Sequence, residues 1–158
     1  VIFVPPGLDD SFLRAEAEKL GYRGKMIKQD PFLMISLADV ILCASGTATL
    51  MVGLCQKPMV IMYRMNSFSA FMAKILVNHI PYFGMVNLIL QKEAVPERFQ
   101  DDANPETLSS LLLDIFSDKN GVTAEIRKQL LILKEKLGAG GGIARLAKAI
   151  EDFAEKRS

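Results

Sequence analysis

The chain has 158 residues, with 19 lysines and arginines against 18 aspartates and glutamates, for a net charge of +1. That is one domain's worth of sequence, long enough to bury a core, and its basic residues are scattered, which argues against nucleic acid as a partner because polyanion binders cluster them. Half of the residues are hydrophobic, yet no apolar stretch approaches the roughly 20 residues that a membrane-spanning helix needs. Cys43 and Cys55 lie on apolar segments and make no metal-ligand spacing with His79, the single histidine. They read as two buried, reduced thiols of a cytosolic protein.

In chain order, Val1 to Val4 reads as a buried strand closed by Pro5-Pro6-Gly7. It begins with no Met and no leader, so the chain is expected to be a piece of something longer. Asp9, Asp10 or Ser11 caps a helix to Leu20, which Gly21 ends. Lys25-Met26-Ile27 is a short strand. Asp30 and Pro31 open a helix through about Leu37, and Asp39 to Cys43 is the next strand. A Ser-Gly-Thr turn and a helix to Leu54 follow, then a strand from Pro58 to Tyr63. Ser67 to Asn78 reads as a helix, and the stretch with His79, Pro81 and Gly84 as irregular. Asn104 caps a helix from Pro105, and another runs from Gly121 to Leu137. The glycines of 138–142 then break the chain before a last helix, Ile143 to Lys156. Residues 1–137 thus form one unit, and 138–158 a glycine-rich joint with a terminal helix.

Apolar strands alternating with helices predict an α/β fold, a Rossmann-like parallel sheet with helices on both faces. In such sheets ligands bind beyond the carboxyl ends of the strands. Ser45 to Thr47, Tyr63 to Arg64 and the loop near Asn87 are expected at that edge. Ala44-Ser45-Gly46-Thr47-Ala48-Thr49 is the most informative stretch, because a helix start offers free N–H groups and the positive end of its dipole to an anion. An ordinary strand–turn–helix corner, with Thr47 as helix cap, explains the same residues.

Several ordered blocks together resemble lipid-A-disaccharide synthase, a bacterial glycosyltransferase family of the GT-B type. Ala38-Asp39 leads into Ala44 to Leu50, and Lys57-Pro58-Met59-Val60 into Tyr63-Arg64-Met65. Ala73-Lys74 and Leu76-Val77 precede Tyr82-Phe83-Gly84-Met85-Val86-Asn87-Leu88-Ile89. Glu93, Val95-Pro96-Glu97 and Gln100 follow, and Leu137-Gly138 with the glycines before Ala144-Arg145 closes the match. It covers nearly the whole chain and corresponds to the family's C-terminal half.

The resemblance implies the UDP-sugar side of an enzyme that transfers 2,3-diacylglucosamine from its UDP derivative to 2,3-diacylglucosamine 1-phosphate and releases UDP. It implies no metal or other cofactor, a cytoplasmic location peripheral to the inner membrane of a Gram-negative bacterium, and a lipid acceptor. The acceptor side and catalytic carboxylates belong to an N-terminal half, a required partner. By the same resemblance, Ser45, Gly46 and Thr47 bind the diphosphate, and Arg64 stabilises charge on departing UDP. Asn87 meets sugar or uracil groups, while Glu93 and Gln100 bind hydroxyls or cap a turn. His79 is a surface or packing residue.

Three departures bear on donor binding. Met51 stands where a glutamate is usual, which removes an acceptor for ribose hydroxyls worth about 1.5–3 kcal/mol, or about one to two decades in affinity. Val86 replaces a proline, and Leu90-Gln91 replaces Ala-Gly, leaving the backbone less freedom. Two other functions fit less well: the same half of another UDP-N-acetylglucosamine GT-B enzyme, and a degenerate module that holds UDP weakly or only pairs with a partner.

The apolar surplus from Met62 through Met65, Phe68, Phe71, Met72, Ile75 and Leu76 to Ile80, Tyr82 and Phe83 is read as burial, with contact to acyl chains or a membrane face as the alternative. The terminal helix, lacking the other half to cross to, is expected to favour self-association.

Overall fold

The structure, a computed structural model, describes residues 1–5, 7–64, 82–138 and 140–155. Every strand pairing among them is parallel. β1 (Ile2–Phe3) lies beside β2 (Met26–Ile27), and β3 (Ile41–Ala44), β4 (Met59–Tyr63) and β5 (Glu97–Phe99) form a second sheet in that order. Parallel neighbours need crossovers. α1 (Ser11–Lys19) connects β1 to β2, α2 (Pro31–Leu37) precedes β3, and α3 (Thr47–Leu54) connects β3 to β4. α4 (Met85–Leu90) precedes β5, and α5 (Pro105–Phe116), α6 (Val122–Leu137) and α7 (Gly142–Glu155) follow it. The chain is thus an α/β, Rossmann-like unit of parallel strands and interleaved helices, as expected.

Local chemistry explains the boundaries. Asp30 accepts from Leu33 N at 3.0 Å with Pro31 in the first turn, and Asn104 accepts from Thr107 N at 2.9 Å ahead of Pro105. Both are side-chain caps followed by a residue with φ already set for a helix. Gly138, at φ +77°, ends α6 in a conformation that disfavours other residues.

Two elements fall where an irregular stretch was expected. α4 buries Val86 and Leu90, so Asn87 sits in a helix rather than a loop. β5 is set by pairing with β4, in the register Ile61↔Glu97, Met62↔Arg98 and Tyr63↔Phe99. The expected helix from Ser67 to Asn78, His79, and most of the apolar series read as burial, with a membrane face as the alternative, lie outside the described residues; of that series Met62, Tyr82 and Phe83 are half-buried.

β4 supplies the centre of the core, with Met59, Val60 and Ile61 fully buried. That continuous burial is typical of a parallel strand covered by other elements. α3, α4 and α6 meet at Gly53, where a Cβ would stand 2.8 Å from Leu133 Cδ2 and 3.1 Å from Val86 Cγ2. The missing side chain is what lets α3 approach so closely. Cys43 is buried, and burial pushes its thiol pKa up, so it stays protonated and unreactive at neutral pH. Cys55 is only half-buried, which corrects the expectation of two buried thiols; both are free.

Candidate functional site

The carboxyl ends of β3 and β4 open on one edge of the sheet. Ser45 N donates to Met62 O at 2.8 Å, carrying the ladder one residue past β3. Gly46 then adopts φ +149° and ψ −167°, a region that essentially only glycine occupies. It is the N-cap of α3, with no side-chain cap bond, and Thr47 is the first helical residue rather than the expected cap. Among the described residues nothing lies within 4 Å of where a Gly46 Cβ would stand.

Gly46, Thr47 and Ala48 are exposed. The first amides of a helix have no partner inside it, and these point toward the helix start. On the inner side, the fully buried Thr49 donates its hydroxyl to Gly46 O at 2.7 Å and holds the corner down. The result is an open cluster of N–H donors with the positive end of a helix dipole behind it, suited to an anion.

Ser45 plays a different part from the one expected. Its hydroxyl donates to Phe83 O at 3.0 Å, and its amide is already in the sheet ladder. A phosphate oxygen accepts but does not donate, so Ser45 in this arrangement anchors the corner rather than offering it a hydrogen bond.

Behind Phe83 stands the carboxylate of Glu97. Its Oε1 accepts from the backbone amides of Phe83 and Gly84, the latter at 2.9 Å, and its Oε2 accepts from Asn87 Nδ2 at 3.0 Å. Asn87 is fully buried. Its amide also donates to Val95 O at 2.9 Å, and its Oδ1 accepts from Ala94 N at 2.9 Å and Val95 N at 3.1 Å. All four hydrogen-bonding positions of Asn87 are therefore used inside the protein. Its contacts give it a bracing role in place of the ligand contact expected from the sequence.

Gly84 makes this arrangement possible. A Cβ there would stand 2.5 Å from Ile61 Cδ1 and 3.2 Å from Glu97 Oε2. Beside it, Tyr63, Phe83 and Phe99 stack on one another, the closest pair having ring centroids 4.5 Å apart and planes 9° apart. Such stacking adds about 0.5–1.5 kcal/mol per pair beyond simple burial, and it fixes the edge where β4 and β5 end.

Arg64 directly follows β4 at that edge, exposed and without an ion pair among the described residues. Glu93 takes the turn-bracing alternative, since its Oε1 accepts from Arg98 Nη1 at 3.0 Å and from Glu97 N at 3.3 Å. Gln100 is half-buried with a left-handed φ of +51° in the turn after β5, and its carbonyl accepts from Ala103 N. The corner at Gly46 and Thr47 thus shares its edge with Arg64, whereas Asn87 and Glu93 work within the protein fabric.

Sequence reasoning missed Glu97 and the aromatic stack. The Val95-Pro96-Glu97 spacing was visible, but the partners of the carboxylate are backbone amides that only the fold brings near. A cavity of about 300 Å³ lies elsewhere, lined by Pro96, Leu111, Asp114, Ile115 and Val122 among others. Pro96 is at the amino end of β5, so that cavity is not part of the carboxyl edge. Among the described residues no group of three or more His, Cys, Asp or Glu is arranged to hold a metal ion. Nor is any described helix long and apolar enough to cross a membrane.

A parallel α/β unit with an anion-ready strand–turn–helix corner at the carboxyl edge describes a Rossmann-like domain. The family model for lipid-A-disaccharide synthetase matches residues 4–140, and the chain belongs to that family of lipid A biosynthesis glycosyltransferases. It is similar to a lipid-A-disaccharide synthase of Neisseria meningitidis serogroup C, 41% identical over 101 residues that make up 62% of this chain and 26% of that protein. To the corresponding synthase of Syntrophotalea carbinolica it is 30% identical over 147 residues, 90% of this chain and 37% of that one. The match to the Syntrophus aciditrophicus synthase is 29% over 141 residues, 89% and 36% respectively. The chain therefore spans about a quarter to just over a third of the length of these relatives.

Proposed function

We propose that this chain is the UDP-sugar-binding, C-terminal half of a GT-B lipid-A-disaccharide synthase. The reaction served is transfer of 2,3-diacylglucosamine from its UDP derivative to 2,3-diacylglucosamine 1-phosphate, with release of UDP. The single observation that carries this reading is the exposed Gly46–Thr47 corner, the start of α3 at the carboxyl edge of parallel strands in a chain of this family. Backbone amides at the start of α3 and the Thr47 hydroxyl hold the diphosphate. Arg64 supplies a positive charge to offset what builds on the leaving group. Ser45, Asn87 and Glu93 shape the site from within, and Gln100 lies at its β5 side. This chemistry needs no metal.

The acceptor sugar and the general base for its attacking hydroxyl belong to an N-terminal half, so this chain alone binds donor without transferring it. A cytoplasmic location against the inner face of the inner membrane follows from lipid substrates and a nucleotide donor.

Calorimetry with UDP and with UMP tests the site. UDP binding tighter than UMP supports a diphosphate cradle, and equal affinities would sink it. Met51, half-buried one turn into α3, favours the second reading of a weakened or degenerate module. On the ribose argument Met51→Glu tightens UDP by about one to two decades; no change in affinity removes that argument.

Self-association through α7 is the partner reading that can be tested separately. Leu146 and Ile150, one turn apart, are 62% and 60% exposed, and an apolar stripe of this kind is normally covered. Sedimentation at rising concentration should show a dimer that Leu146→Ser with Ile150→Ser abolishes. A native chain that stays monomeric throughout speaks against it.

A further inference from the structure

Outside the corner itself, the side chain with the most consequential contacts is Glu97. It lies in β5, directly across from Ile61 in the ladder, with its carboxylate turned toward the segment that leads into α4. One oxygen gathers two successive backbone amides, Phe83 and Gly84, and the other is held by Asn87. Asn87 is itself locked by three bonds to the backbone of Ala94 and Val95. Carboxylates that accept several N–H bonds are among the firmer polar anchors in proteins. This one fixes the peptide whose carbonyl accepts the Ser45 hydroxyl, one residue before Gly46.

We infer that Glu97 is a positioning residue for the diphosphate corner, acting through Phe83 O and Ser45 Oγ to set the orientation of the Gly46 and Thr47 amides. This rests on the reading of that corner as the diphosphate site. A chain of three links joins them: Glu97 to the Phe83–Gly84 amides, Phe83 O to Ser45 Oγ, and Ser45 to Gly46 through the backbone. Such a link matters because donors aimed at an anion lose their value with small misalignment. Gly84 belongs to the device, since any Cβ would press on Ile61 and on the carboxylate. Gly46 is exposed and has no side chain to confine its backbone, so the orientation of the corner depends on the residues that anchor it.

Glu97→Gln keeps the shape but has one oxygen where the carboxylate has two, so it cannot accept from Asn87 and from the Phe83 and Gly84 amides at once, and it loses the negative charge that strengthens all three bonds. The expected result by calorimetry is UDP binding weakened about tenfold with uridine binding unchanged, the loss confined to the phosphate end. Ser45→Ala, which cuts the link without touching Glu97, should weaken UDP to a similar extent and also spare uridine. The double variant should be no worse than the weaker single one, because both changes break the same chain. Unchanged UDP affinity in Glu97→Gln, equal losses for UDP and uridine, or losses that multiply in the double variant would each overturn the inference. Should Glu97→Gln fail to fold, Ser45→Ala alone decides: retained UDP affinity overturns the inference, a loss specific to UDP supports it.

A second readout separates this from the site reading. In amide NMR spectra the Gly46 and Thr47 resonances should shift in Glu97→Gln and stay in place in a Glu106→Gln control. If native chain binds no UDP, the diphosphate reading falls; shifted Gly46 and Thr47 resonances then still support the linkage, and unmoved ones overturn it as well.

Discussion

Around β4 the chain buries Met59, Val60 and Ile61 completely, and in the same core α6 brings Leu130 and Leu133, with no exposure, to Gly53 of α3. Around β1 and β2 the picture is reversed. α1 and α2 bury no residue, and Phe12, Phe32 and Leu37 stand 60–70% exposed. Each has the same βα grammar, with a capped or glycine-stopped helix beside a parallel strand. Regular local structure does not by itself produce a core, since burial of apolar area is what stabilises. The candidate site stands on the densely packed region, where side-chain anchors hold a backbone corner in place.

Breaking the packed region should have the largest effect. Leu133→Ala removes a fully buried side chain at the meeting of α3 and α6 and should cost about 2–5 kcal/mol in urea unfolding. A loss below about 1 kcal/mol would show that this region is not where stability resides. A smaller and opposite effect is expected at Gln91. It closes α4 with a left-handed φ of +57°, at the position where the family resemblance places glycine. Gln91→Gly should stabilise by about 0.5–1 kcal/mol by relieving that backbone strain, and a destabilised variant would count against strain there. The smallest change belongs to the loose region. Phe12→Ser, on a helix face 70% exposed, should move stability by less than about 0.5 kcal/mol. A loss comparable to that of Leu133→Ala would mean that α1 is covered by something the contrast above does not include.

Much of the fold was legible from the sequence because its signals are local. Asp30-Pro31 and Asn104-Pro105 announce helix starts through a side-chain acceptor and a preset φ, and both cap bonds are present. The apolar runs of β3 and β4 are long enough to read as buried strands. β5 is not, because Glu97-Arg98-Phe99 is three half-buried residues, two of them charged, and only the β4 ladder makes it a strand. α4 was hidden for a similar reason: it is six residues long and starts at a glycine with no side-chain cap. The site divides along the same line. A Ser-Gly-Thr turn between an apolar strand and a helix can be read directly, since it needs nothing beyond its neighbours in sequence. Asn87 could be singled out but not interpreted, because its role depends on the Glu97 carboxylate and the backbone of Ala94 and Val95, all further along the chain.

The bond from Ser45 to Phe83 spans 38 positions of sequence, and the carboxylate that secures Phe83 comes 14 positions later still. This has a consequence for the order of synthesis. A nascent chain that has emerged only as far as Lys92 carries the whole strand, turn and helix of the corner but neither Glu97 nor the strand that presents it. The Ser45–Phe83–Glu97 anchor of the corner is therefore completed late, when β5 docks, and not when the motif itself leaves the ribosome. Until then the Gly46 turn lacks the carboxylate that secures the Phe83 peptide to which Ser45 is bonded.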